Sequence, residues 1–241
     1  MTKLSVNINK IATIRNARGG NTPNLVEAAI KIQKFGGQGI TIHPRPDERH
    51  IRYQDVYDLK PVVTTEFNIE GKPIDSFMEL VLHSKPEQVT LVPDAEDAIT
   101  SNAGWDTIKY QDYLTDVIKT FKDAGIRTSI FLDPNPALVE AAAKTGADRI
   151  ELYTEEFATQ YGLGNLDAIT PYIETTKLAI ANGLAVNAGH DLSLDNIGYF
   201  IREIPEIAEV SIGHALISEA LYLGLENTIQ AYLRKIELAN L

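Results

Sequence analysis

Four of the five histidines fall at, or just past, the ends of strand-like segments, where a proton-handling side chain can meet a ligand. His43 closes GITIHP, His190 closes AVNAGH, His214 follows VSIG, and His50 lies in the loop beyond the first. Only His83 falls in a helical stretch, SFMELVLHS. Imidazole titrates near neutral pH, so it can both take and return protons there. Glu70 ends EFNIE, and a carboxyl at a poorly solvated strand end is pushed up toward the working range. Such a glutamate serves as readily in an ion pair as in catalysis, so its meaning depends on the histidines around it. HPRPDERH adds Arg45, whose planar fork suits phosphate or carboxylate. The competing reading of that segment is a solvated charged loop. NAGHD and SIGHA each place a glycine before a helix entry, an arrangement that lets backbone N–H groups approach phosphate.

Alternating elements must hold these residues. Strand patterns span Leu4–Asn9, Gly39–His43, Thr65–Glu70, Gln88–Pro93, Arg127–Asp133, Asp148–Thr154, Ala185–His190 and Glu209–Gly213. Helical patterns separate them, and a long terminal helix is predicted from near Ile217. Gly36, Gly125, Gly146 and Gly183 sit where left-handed helix caps belong, just before the next strand. Eight strand–helix units read as a single (β/α)₈ TIM barrel with a few extra helices, whose catalytic face gathers the carboxyl ends of the strands. A doubly wound open sheet is the competing fold, though it rarely needs eight such units.

Asn7 and Asn9 alternate with Val6 and Ile8, and Asn68 and Glu70 alternate with Phe67 and Ile69. Polar groups should therefore converge on the barrel axis, as site residues or as a satisfied structural network. Two long segments, DAEDAITSNAGWD and EEFATQYGLGNLD, read as lids or as ordinary surface excursions.

Composition narrows the partners. The net charge of −11 argues against nucleic acid, which demands a basic face. Residues 1–52 nevertheless hold nine Lys or Arg against three acids, while the remainder holds thirteen against thirty. A small basic zone in an acidic protein fits a small anionic substrate, or else chance clustering on a solvated face. With no cysteine, disulfides and thiolate chemistry are excluded. The paired histidines of barrel metallohydrolases are missing, so no metal is expected. No apolar run reaches the roughly 18 residues of a membrane span. No charged and apolar leader precedes the first strand, which makes the cytoplasm the expected location.

The motifs NINKIATIRNARGG, HPRPDERH, EFNIEG, LVPD, VNAGHD and SIGHALI occur in one order along nearly the whole chain, which closely resembles the pyridoxine 5′-phosphate synthases of vitamin B6 biosynthesis. The resemblance implies condensation of 1-deoxy-D-xylulose 5-phosphate with 3-amino-2-oxopropyl phosphate by acid–base catalysis, without metal or organic cofactor, in a homo-octamer of dimers. It makes His43 and Glu70 proton acceptors and His190 the proton donor. Asn7, Arg18, Gly213 and His214 would hold the amino-ketone phosphate, and Arg45, His50 and Thr100 the sugar phosphate, with Thr100 in the suspected lid.

Two departures fall among the implied substrate contacts. Asn9-Lys10 stands where many relatives have Asp-His, and Asp191 where many have Gly. Lys10 would bring a fixed charge toward phosphate. Asp191 would offer its backbone N–H and turn its carboxylate away, as a helix cap. Another phosphate-binding isomerase or aldolase barrel, and a barrel that only binds a phosphorylated metabolite, are the remaining readings. No strand ends in a Schiff-base lysine, and pure binding needs no proton carriers.

Overall fold

Side chains alternate across each strand and so separate two environments. Leu4 and Val6, Ile40 and Ile42, Phe67 and Ile69, and Val89 and Leu91 are fully buried, and the later strands carry similar pairs. These residues face outward, where amphipathic helices cover them. The intervening residues face the axis. The computed structural model describes residues 1–93 and 103–241. Its strands are β1 (Lys3–Asn7), β2 (Gly39–Ile42), β3 (Glu66–Gly71), β4 (Gln88–Leu91), β5 (Arg127–Leu132), β6 (Arg149–Leu152), β7 (Ala185–His190) and β8 (Ile207–Ile212). All pair in parallel, and β8 returns to β1 through Lys3↔Glu209 to Val6↔Ile212, closing the barrel. The expected (β/α)₈ architecture is therefore the one observed.

The helices are α1 (Asn9–Asn16), α2 (Leu25–Lys34), α3 (Tyr53–Leu59), α4 (Asp75–Ser84), α5 (Gln111–Asp123), α6 (Val139–Lys144), α7 (Glu155–Gly162), α8 (Thr170–Ala181), α9 (Ile197–Glu203), α10 (His214–Leu223) and α11 (Leu225–Ala239). Helix α2 shows the local logic. The Asn24 side chain caps it by accepting from the Glu27 N–H at 2.8 Å. Leu25, Ala28, Ala29 and Ile32 then form its buried stripe. All four glycines expected as left-handed caps have positive φ, from +80° to +100°.

Several expectations need correction. The first strand stops at Asn7, because the Asn7 side chain accepts the Asn9 N–H at 3.0 Å and turns the chain into α1. Asn9 therefore opens a helix. The segment EEFATQYGLGNLD is no loop: most of it forms α7, anchored by a fully buried Phe157 against Tyr172 and Phe200. The terminal helix starts at His214 rather than near Ile217 and is broken at Gly224, whose φ is +79°. Residues 94–102, most of the other suspected lid, lie outside the described residues. Beyond them Trp105 is buried and donates its indole N–H to the Leu91 carbonyl at 3.1 Å.

Polar groups converge on the axis as expected, and they do so along its whole length rather than at the carboxyl ends of the strands alone. At the floor, Arg127 pairs with Glu66, and Arg149 lies 3.5 Å from Glu209 and 3.8 Å from Glu66. Burial and the neighbouring Glu66 push the Glu209 carboxyl well above the usual range. In the middle layer, Ser5 and Thr41 hydroxyls meet at 2.8 Å, Thr90 donates to Asn68 at 3.1 Å, and Thr90 reaches Glu151 at 3.5 Å. Desolvation raises Glu151 to about 7, against the lowering influence of His190 and Thr90.

A buried ion pair ties α1 to α3, and a further bond from the same arginine reaches the loop between β2 and α3. Arg15 grips Asp55 through both ends of its guanidinium, at 2.5 and 2.9 Å, and also donates to the His50 carbonyl at 3.1 Å. Arg15 is 3% exposed, so removing it strands a buried carboxylate. Arg15→Ala should cost about 3–5 kcal/mol in denaturant unfolding, and Arg15→Met with Asp55→Leu should recover most of it. A second prediction concerns pH. Glu151 has a higher pKa folded than unfolded, so its contribution to stability falls as pH rises from about 4.5 to about 7. Glu151→Gln should thus be increasingly stabilising relative to the parent across that window, by up to about 3 kcal/mol above it. Unfolding curves at pH 5 and pH 8 check this.

Candidate active site

The strand ends open onto a cavity of about 350 Å³ at the carboxyl end of the barrel, within the range of a small-molecule site. β1 contributes Asn7 and β3 contributes Glu70. The Asn7 amide donates to the Glu70 carboxylate at 3.4 Å, so the two rim groups hold each other in place. Asn9 and Lys10, in the first turn of α1, also line the cavity. The Asn9 side chain accepts the His43 N–H at 3.0 Å, which fixes the point where β2 ends and the histidine begins.

The segment HPRPDERH divides between site and solvent. His43 and Arg45 are buried at 7% and 5% exposure, and with His50 they face the cavity. Asp47 and Arg49 pair at 2.6 Å on the exposed side of the turn. The solvated-loop reading therefore applies only to the tip. The backbone after the tip is pinned, since the His50 carbonyl accepts from both Asn16 and Arg15.

These two histidines share an environment that disfavours charge. Burial, reinforced by Arg45 and Arg49, lowers His43 to about 3. Burial together with His43 and Lys10 lowers His50 to about 3. Both are neutral at pH 7. The His50 Nδ1 accepts the Ile51 N–H at 2.9 Å, which leaves its proton on Nε2 as a donor for an anion.

His190, across the rim on β7, is driven the other way. Burial opposes its charge, but the hydrogen bond to Asp191, the Asp191 charge and the Glu151 charge outweigh burial and raise its pKa. Imidazoles held neutral and one biased toward its protonated form thus face one cavity. Tyr153, at the end of β6, stands edge-on to the His190 ring with centroids 5.6 Å apart. Burial and the nearby acids push its phenol up to about 12.

Gly189 and Gly213 permit close strand approach at this rim. A side chain at Gly189 would stand 2.2 Å from the Ser211 carbonyl, and one at Gly213 would press on Asn7 at 3.1 Å. Gly213 caps α10, His214 is its first residue, and both line the cavity.

Eleven of the thirteen residues singled out in the sequence therefore meet at one cavity: Asn7, Asn9, Lys10, His43, Arg45, His50, Glu70, His190, Asp191, Gly213 and His214. Of the other two, Thr100 lies outside the described residues, and Arg18 is exposed in the turn after α1, away from the cavity lining. Asp191 behaves differently from expectation. Its N–H is already directed to the Gly189 carbonyl at 2.8 Å and the Thr154 hydroxyl at 3.2 Å. Its carboxylate turns to His190 rather than to a helix end; Asn196 caps the following turn by accepting from Ser193.

Glu151 also lines the cavity, a residue that the strand-end pattern does not single out. It lies one layer down on β6, inside RIEL, where a glutamate beside an arginine resembles an ordinary ion pair. The signal available was its strand phase: Arg149, Glu151 and Tyr153 share one face. Val92, Phe131 and Ser211 also line the cavity. Among the described residues, no cluster of three His, Asp or Glu is arranged to hold a metal ion. No helix among the described residues is long and apolar enough to cross a membrane.

A pyridoxine 5′-phosphate synthase of Flavobacterium johnsoniae is 68% identical over 237 residues, covering 98% of this chain and 100% of the relative. One from Christiangramia forsetii is 66% identical with the same coverage. Among solved structures, a phosphoribosylanthranilate isomerase from Thermotoga maritima matches with a TM-score of 0.62 at 11% identity, covering 98% of this chain and 99% of its own. A thiamine phosphate pyrophosphorylase from Pyrococcus furiosus matches with a TM-score of 0.64 at 11% identity, covering 99% and 96%. These two likenesses concern the fold alone. The family model described as pyridoxal phosphate biosynthesis protein PdxJ matches residues 4–238, and the chain belongs to that family.

Proposed function

We propose that this chain is a pyridoxine 5′-phosphate synthase, condensing 1-deoxy-D-xylulose 5-phosphate with 3-amino-2-oxopropyl phosphate to give pyridoxine 5′-phosphate, inorganic phosphate and water. The observation that carries the reading is the opposite displacement of two imidazoles on one rim. His43 is held neutral and can accept protons, whereas His190 is biased toward its protonated form and can donate them. Full-length relatives bearing that name support the choice of reaction.

The amine of one substrate adds to a ketone of the other, and loss of water gives an imine. His43 and Glu70 take protons from carbon and nitrogen as the conjugated system forms, and His190 protonates a departing hydroxyl. Phosphate leaves by elimination and a water adds at the carbon it vacates, and aldol-type closure followed by loss of water aromatises the ring, so that one phosphate and two waters are released in all. Each step is a proton transfer, addition or elimination, so this chemistry needs neither metal nor organic cofactor. Lys10, Arg45 and the Nε2–H of His50 offer positive or donor groups to the sugar phosphate. Asn7, Gly213 and His214 at the start of α10 suit the amino-ketone phosphate, where backbone N–H groups and the helix dipole favour an anion. Thr100 belongs with the sugar-phosphate contacts in this reading.

Arg18 reaches no phosphate in its own cavity, so its role requires an assembly or a closure that carries it to one. The homo-octamer of dimers remains part of the proposal. Leu221, Tyr222 and Leu223 form a contiguous apolar run at the end of α10, exposed by 72%, 90% and 47%, of the kind a subunit contact covers. A cytoplasmic location is likewise proposed.

The direct test incubates the purified protein with both phosphorylated substrates while following pyridoxine phosphate fluorescence and released phosphate. Product above a blank is expected, and no product from folded protein sinks the reading. His43→Ala and Glu70→Gln should each lower turnover by about 10²-fold or more with melting behaviour retained. Near-parental rates in both would remove these residues from acid–base work.

A further inference from the structure

The carboxylate beside His190 has a role that substrate contact does not explain. His190 is the last residue of β7 and adopts φ +55°, a left-handed backbone that a residue with a Cβ occupies only when its surroundings hold it there. Thr154 provides the hold. Its hydroxyl donates to the Gly189 carbonyl and accepts the Asp191 N–H at 3.2 Å, gripping the chain on both sides of the histidine. The resulting turn folds the Asp191 carboxylate back onto the preceding ring, with Oδ2 2.7 Å from Nδ1. Tyr153 closes one side of the ring at 75° to its plane. The imidazole is therefore fixed by its backbone, by Nδ1 and by an aromatic edge.

We propose that Asp191 is a positioning residue for His190, holding the ring by Nδ1–H so that Nε2 presents the proton to the substrate. This inference rests on His190 being the proton donor. A carboxylate on Nδ1 selects the tautomer in which exchange takes place at Nε2, and it stabilises the imidazolium. The charged and titratable groups around the ring act in both directions. Glu151 on β6 and Tyr153 just past its end lie below and beside it, Lys10 on α1 opposes its charge, and His43 past β2 repels it across the rim. Asp191 contributes more to keeping the ring protonated than Glu151 does. Without it, burial and Lys10 act against the imidazolium with only Glu151 in opposition. The donor would then lose its proton at a lower pH.

The test uses the full chain with ¹⁵N-labelled histidine. His190 is assigned by the resonance lost in His190→Gln, and its titration is followed in the parent, Asp191→Asn and Asp191→Ser. Both Asp191 variants are expected to lower the His190 midpoint by one pH unit or more. They should shift the basic limb of kcat to lower pH by the same amount, so the rate loss grows to about tenfold or more on the alkaline side and fades below both midpoints. The Nδ1 resonance should lose its hydrogen-bonded signature. A His190 midpoint unmoved in both variants overturns the proposal whatever their activity. A lowered midpoint with an unmoved basic limb instead removes His190 from the donor role, and with it the reading on which this inference rests.

Discussion

Closure of eight parallel strands is the constraint on which the site depends, because it brings inward-facing polar groups together where water is scarce. Burial is the largest influence on His43, His50, His190, Glu151 and Glu209 alike. What separates these groups is the charge placed near each one. Arg45 and Arg49 reinforce burial at His43, while Asp191 and Glu151 overcome it at His190. A single desolvated cavity can thereby keep a base and an acid at the same pH.

The apolar core consequently lies outside the barrel, in the layer between strands and helices, and the lumen is lined by hydroxyls, amides and ion pairs. That arrangement is sustained only where the buried groups answer one another. Arg127 and Arg149 meet Glu66 and Glu209 at the floor, and Thr90 joins Asn68 to Glu151 above them. Loops are bound by the same kind of pairing. Arg15 fastens α1 to α3 through Asp55 and, through the His50 carbonyl, to the loop that presents His43, Arg45 and His50, so substrate-facing groups from separate elements share one frame.

Much of this was legible along the chain. The alternation in EFNIEG marks both the outward apolar face and the inward polar one, and the caps at Gly36, Gly125, Gly146 and Gly183 mark helix ends. Histidines at strand ends are readable because parallel strands in a barrel share one carboxyl-terminal face. Periodicity failed where side chains overrode it. Asn9 continues an alternating pattern, yet an Asn7 side-chain turn ends the strand before it. EEFATQYGLGNLD reads as a loop from its polar and glycine content, but Phe157 finds aromatic partners on α8 and α9 and stabilises a helix.

The sequence by itself determined the barrel, the rim on which the proton carriers lie and the family to which the chain belongs. All three depend on local alternation and on motifs readable in order. Only the tertiary structure decided that His43 is held neutral while His190 is biased toward charge, that Glu151 reaches the cavity floor, that Arg18 stands outside it and that Asp191 turns onto His190. These facts depend on burial and on distances between residues remote in sequence, or on a backbone turn held by Thr154 from another strand's end. Protonation follows the sum of surrounding charges and lost solvent, which no single segment contains.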